Sequence, residues 1–138
     1  MVIELLNQTG FPNMKVLQFA FNKGSANPFL PENFDRPCVC YTGTHDNDTT
    51  LGWYEHLSEK EKALFFKTVP QKSESPVLNL ISFAIDSKAE TVIIPLQDYM
   101  QLNSSARINT PGVPKGNWVW RFRKKDITNR LKDLIKKI

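Results

Sequence analysis

Three short apolar runs constrain the kind of sheet this chain can build. They are Met14–Phe21, Cys38–Thr44 and Thr91–Leu96. Each is close to continuous in apolar or β-branched residues, the pattern of strands buried on both faces. Helical patterns separate them. Val2–Gln8 has helical character and Gly10 is its stop signal. Ser58-Glu59-Lys60-Glu61 reads as a capping box, with Ala63 and Phe66 on the buried face of the helix it starts. Ser75-Pro76 opens another helix, in which Val77, Leu80, Ile81, Ala84 and Ile85 recur at helical spacing. A last helix, about Thr128 to Lys137, carries Leu131, Leu134, Ile135 and Ile138 on one face, and its basic end suits the helix dipole. Gly24, Pro28, Pro31 and Pro37 punctuate the loop between the first two strands. The order α, β, loop, β, α, α, β, tail, α predicts a parallel α/β sheet. Three strands make a small core, and no N-cap precedes the opening helix. The expectation is therefore one segment, residues 1–138, of a larger α/β fold.

Composition excludes several classes. The 138 residues are 41% apolar and 23% charged, ordinary globular values that argue against disorder. No apolar run is long enough to cross a membrane, and the start lacks the pattern of a secretory signal. Cys38 and Cys40 lie on one face of an extended strand, and the plain reading is two buried thiols in a reducing cytoplasm. The net charge of +4 is uneven: residues 1–104 are acidic and residues 105–138 strongly basic. No nucleic-acid motif accompanies the basic tail, which reads as a solvated helix face beside packed aromatics.

The chemistry concentrates where the second strand ends, at His45-Asp46-Asn47-Asp48-Thr49-Thr50. Polar groups at the end of a buried strand, just before a helix, are where α/β enzymes place catalytic residues. A calcium loop starting at Asp46 fails, because Leu51 and Leu57 occupy the positions that need Gly and Glu. Asp46 and Asp48 are also spaced as an Asp-x-Asp metal pair, a spacing common in turns. No nucleophile elbow supports a serine triad. Glycosyl transfer is a further option, since carboxylates stabilise its oxocarbenium-like state and aromatic rings hold sugar faces. Phe19, Trp53, Tyr54, Trp118 and Trp120 are available as platforms or as core. A plain N-cap and turn network is the competing account of His45-Asp46.

Tyr41 to Thr50, followed by Gly52-Trp53, resembles the signature of the 4-α-glucanotransferases, or amylomaltases. Gly10-Phe11-Pro12, Met14 to Phe21, Asn27 to Pro31, Pro95 to Asp98, Ala106 to Gly112 and Gly116 to Arg121 match the neighbouring family blocks in order. Asn13 stands where the family has Gly, and Asn tolerates the same left-handed turn. The resemblance implies strands six to eight of a (β/α)8 barrel, incomplete on its own. It implies retaining transfer of α-1,4-glucan segments to the 4-hydroxyl of glucose or another glucan, with no metal or organic cofactor. Asp46 matches the third carboxylate of the catalytic trio, and His45 and Asn109 match residues that contact the same sugar. The nucleophile and the acid/base belong to blocks absent here, so the segment alone is expected to be inactive. The alternative is a non-catalytic glucan-binding or regulatory module. Expected partners are α-1,4-glucans, maltooligosaccharides and glucose, not nucleic acid or membrane. Open sheet edges lead to an expectation of self-association.

Overall fold

Gly10 stops the first helix, as its sequence position predicts. Helix α1 spans Val2–Thr9. Gly10 takes φ +68° and its N–H reaches the Leu6 carbonyl at 3.0 Å. That left-handed conformation costs glycine nothing, because there is no Cβ to clash. The computed structural model describes residues 2–22, 26–34 and 37–138, with side chains from residue 4 onward. Gly24, one of the expected loop punctuation residues, lies outside the described residues.

All three strands form, and each is shorter than expected. They are β1 (Asn13–Val16), β2 (Cys38–Tyr41) and β3 (Thr91–Ile93). After β1 the chain tightens into a 3-10 turn over Leu17–Phe19, which buries Leu17 and Gln18 and turns Phe19 outward. Between β2 and β3 lie α2 (Thr50–Glu55), α3 (Glu59–Thr68) and α4 (Pro76–Ile85). After β3, Pro95 caps a four-residue helix, α5 (Leu96–Tyr99), so Leu96, the last residue of the third apolar run, is helical along with Gln97 and Asp98. Helix α6 spans Asn129–Lys137 behind its Thr128 cap. The strand order is β1-β2-β3 and both pairings are parallel.

Register decides what each sheet face carries. Lys15, Cys40 and Val92 align, as do Val16, Tyr41 and Ile93 on the opposite face. The first face meets the helices: Cys38, Cys40 and Val92 pack with Phe65, Leu80 and Ala84. On the other face Met14 is 55% and Ile93 45% exposed. The expectation of strands buried on both faces thus fails for β3, whose residues run exposed, half-buried, exposed. It is an edge strand, and only one of its faces is packed against helices.

The centre of the helical layer is Phe65. Its ring lies 5.2 Å from those of Phe21 and Tyr54 and 6.2 Å from that of Trp53. The capping box forms as the sequence predicts, with Ser58 and Glu61 satisfying each other's backbone N–H. The buried face does not follow Ala63 and Phe66, which are exposed, but Phe65 and Val69. Both readings have helical spacing; contact with the sheet selects between them. Helix α4 buries Val77, Leu80, Ile81 and Ala84, while Ile85 at its end faces solvent. In α6 Leu131 is buried, Leu134 is half-buried and Ile135 is exposed.

Cys38 and Cys40 are buried, and no disulfide joins them. Burial, reinforced by Cys38 and opposed by a hydrogen bond with Ser87, pushes the Cys40 thiol up to about 12, which keeps it protonated and inert. No helix among the described residues is long and apolar enough to cross a membrane.

Candidate functional site

The loop from Thr42 to Thr49 is anchored at both ends by one buried carboxylate. Thr42 Oγ1 donates to Asp98 Oδ2 at 2.6 Å, and Thr50 Oγ1 donates to the same oxygen at 2.7 Å. The Thr50 N–H donates to Asp98 Oδ1 at 2.8 Å. The end of β2 and the start of α2 are therefore both tied to α5. Burial pushes the Asp98 carboxyl above its usual range, and the Asp48 charge adds to this, against the pull of the three hydrogen bonds.

Inside the loop most polar groups serve the scaffold. Asn47 Oδ1 accepts from the Thr44 N–H at 2.9 Å and the Thr44 hydroxyl at 2.8 Å. Asp48 accepts from the Thr49 N–H at 2.8 Å and from the Ser104 hydroxyl at 2.6 Å. Gln18 Nε2 donates to the Asp48 carbonyl at 2.9 Å. Thr49, and not Asp46, caps α2 through the Gly52 N–H at 3.1 Å. Gly52 must be glycine here: a Cβ would collide with Ser104 Oγ and sit 2.9 Å from both Asp48 carboxylate oxygens. Asp46 and Asp48 thus face different partners, which does not suit a shared metal.

His45 and Asp46 project from this braced loop, their side chains 55% and 51% exposed. Asn109 Nδ2 donates to Asp46 Oδ1 at 2.6 Å, and His45 Nε2 lies 3.4 Å from the same oxygen. The three candidate residues are therefore brought together. Arg107, which the sequence did not single out, fastens the two segments. Its Nη2 donates to the Asp46 carbonyl at 2.7 Å and its Nε to the Asn109 carbonyl at 2.8 Å. The Asn109 N–H donates to the His45 carbonyl at 3.1 Å.

Asp46 lines an open cleft of about 410 Å³ with Phe19, Trp53, His56 and Arg107. Glu61 lines it too, but its carboxylate is held by the Ser58 N–H at 2.9 Å and the Ser58 hydroxyl at 2.6 Å. A larger groove, about 930 Å³, runs along α3 and contains none of the three candidates. The aromatic candidates divide by burial. Trp53 packs on Phe21 and Phe65, and Tyr54 on Phe65 and Phe66, so these are core residues. Trp120 pairs with Phe122 at 5.8 Å. Trp118 lies over His45, with ring centroids 5.2 Å apart.

Asp98, Ser104, Gln18 and Arg107 were missed as contributors to the site. The two threonines flanking the His45-Asp46 turn were the available signal, since buried hydroxyls need a partner.

The profile of the 4-alpha-glucanotransferase family matches residues 1–128. The chain is 48% identical over 122 residues to a chloroplastic/amyloplastic 4-alpha-glucanotransferase of Oryza sativa subsp. japonica, covering 88% of this chain and 20% of that protein. It is 43% identical over 137 residues to the 4-alpha-glucanotransferase of Clostridium butyricum, covering 96% and 28%. The chain thus spans between about a fifth and three tenths of the length of these relatives. Its structure resembles an amylomaltase from Streptococcus agalactiae solved in complex with acarbose, with a TM-score of 0.92 and 32% identity over 99% of this chain and 28% of that one.

Proposed function

The chain belongs to the 4-alpha-glucanotransferase family, and from that premise we propose that it supplies the sugar-gripping side of a glucan-transfer site. In this reading β1, β2 and β3 are strands six, seven and eight of a (β/α)8 barrel. The parallel order, the helices on one face and the partly uncovered opposite face support it. The candidate residues sit beyond the C-terminal end of β2, where such barrels carry their chemistry. The substrates are α-1,4-glucans and maltooligosaccharides, with glucose or another glucan as acceptor; the acarbose complex of the Streptococcus agalactiae relative supports the same reading.

One observation carries the proposal: Asp46 is held by Asn109 beside His45 on a braced loop, yet remains half open to solvent. A fixed carboxylate can accept hydrogen bonds from sugar hydroxyls. Such bonds strengthen as the ring flattens toward an oxocarbenium ion, and they lower the barrier by several kcal/mol in glycosidases. Asn109 holds the carboxylate, and His45 and Asn109 offer further polar contacts to the same sugar. Retaining transfer also needs a nucleophile and an acid/base about 5–5.5 Å apart. The neighbouring carboxylates are committed elsewhere: Asp48 to Ser104, Glu61 to Ser58 and Asp98 to two threonines.

The 138-residue chain alone is therefore expected to bind maltoheptaose weakly and to release no glucose from maltotriose. Tryptophan fluorescence reads the first and a glucose assay the second. Steady turnover by the chain alone would overturn the division of roles. No fluorescence response up to millimolar sugar would count against the binding site itself.

The same sheet supports self-association. Neither β1 nor β3 has a strand partner on its outer edge among the described residues, and Met14 and Ile93 are exposed beside those edges. Open edges template pairing between chains. Light scattering should give a mass above that of one chain; a clean monomer removes the proposal.

A further inference from the structure

We propose that Trp118 is a positioning residue that acts through His45, clamping the imidazole in the orientation that faces Asp46. The inference rests on the glucan-handling reading of Asp46, His45 and Asn109, and assigns a role to a residue outside that trio.

Backbone conformation sets Trp118 apart. Trp118 has φ +61°, in the left-handed region that bulky L side chains rarely enter. A residue stays there only when its surroundings over-determine it, and such strain gathers at functional sites. The surroundings are visible. Asn117 Oδ1 accepts from the Thr110 N–H at 2.9 Å, while Asn117 Nδ2 donates to the carbonyls of Thr110 at 3.3 Å and Val113 at 2.8 Å. Gly112 and Gly116 take φ +79° and +82° within this closed loop. The Trp118 N–H then donates to the Ile108 carbonyl at 2.7 Å, and its own carbonyl accepts from Arg121 Nη1 at 2.8 Å. The loop returns Trp118 to Ile108, the residue before Asn109, which donates to Asp46.

Trp118 is 56% exposed and takes no part in the hydrophobic core, unlike Trp53, which packs on Phe21 and Phe65. Burial does not account for its place. Its ring instead covers His45, tilted by 38° at a centroid separation of 5.2 Å, within the range of favourable aromatic pairs. Among the described residues, the polar partner of the His45 side chain is Asp46 Oδ1 at 3.4 Å. That is too long to hold the ring by itself. Removing the indole frees the imidazole to rotate away from Asp46.

Trp118→Gly tests the assignment, because glycine suits the observed φ while the indole is lost with the rest of the side chain. The variant should melt at the same temperature as the parent chain or higher. The His45 ring-proton NMR signals, distinguished from those of His56 with His45→Gln, should lose the upfield displacement caused by the indole ring current. Maltoheptaose affinity should fall roughly threefold to tenfold, the equivalent of one aromatic pair. Trp118→Phe, which keeps a ring, should recover most of both. Unmoved His45 signals in Trp118→Gly overturn the clamp. So does moved His45 with unchanged affinity, or a large drop in melting temperature that accounts for both losses. If the parent chain itself binds no maltoheptaose, the glucan reading fails, and the ring-current comparison alone decides whether Trp118 holds His45.

Discussion

Asp46→Asn should lower kcat of the complete transferase proposed to contain this segment by about 10²- to 10³-fold, the usual cost of removing one preorganised electrostatic contact to a transition state. The substitution leaves the size of the side chain and one acceptor oxygen for Asn109. It removes the charge that would face a developing oxocarbenium ion. Folding stability should barely change, because Asp46 is half exposed and surface substitutions away from caps and cores stay within about 0.5 kcal/mol. The pattern to look for in maltotriose disproportionation is a large loss in kcat with an unmoved melting temperature. An unaffected kcat would take Asp46 out of the reaction. A matching loss of stability would make it a structural residue.

Asp98→Ala should cost about 3 kcal/mol of folding stability, since it strands buried donors at about 1–3 kcal/mol each and the two hydroxyls can partly turn elsewhere. The donors are the Thr50 N–H and the hydroxyls of Thr42 and Thr50. Urea unfolding measures the loss; a change under 1 kcal/mol would mean that Asp98 does not hold the loop. Asp98→Asn keeps one acceptor oxygen and should lose less. The folded carboxyl lies above 3.8, raised first by burial. The folded state therefore binds the proton more tightly than the unfolded chain. The stability of the parent relative to Asp98→Asn is greatest below 3.8 and declines as pH rises through the folded value. A difference that grows with pH across that window would reverse the assignment.

The features legible in advance share a short range. Gly10 ends its helix through a bond four residues back, and the Ser58–Glu61 and Ser75–Pro76 starts are complete within three residues. The parallel sheet was legible because apolar runs alternated with helical periods. Strand lengths were not. Beyond Tyr41 the chain turns to serve Asp98, and that partner lies 56 residues away. The choice of Phe65 over Phe66 was equally hidden, because adjacent aromatics fit the same helical period and only the sheet's position selects one.

The site divides in the same way. The sequence alone determined the family and the residue types at the end of β2. It did so because the blocks that carry those residues follow one another in a recognisable order. The tertiary structure decided that Asp48 and Asp98 belong to the scaffold while Asp46 stays open. It also decided that Asn109, 63 residues on, holds Asp46, and that Trp118 returns through a strained turn to cover His45. The reason is physical. Whether a carboxylate is a brace or a working group depends on which donors reach it, and those donors arrive from segments that only folding brings into contact.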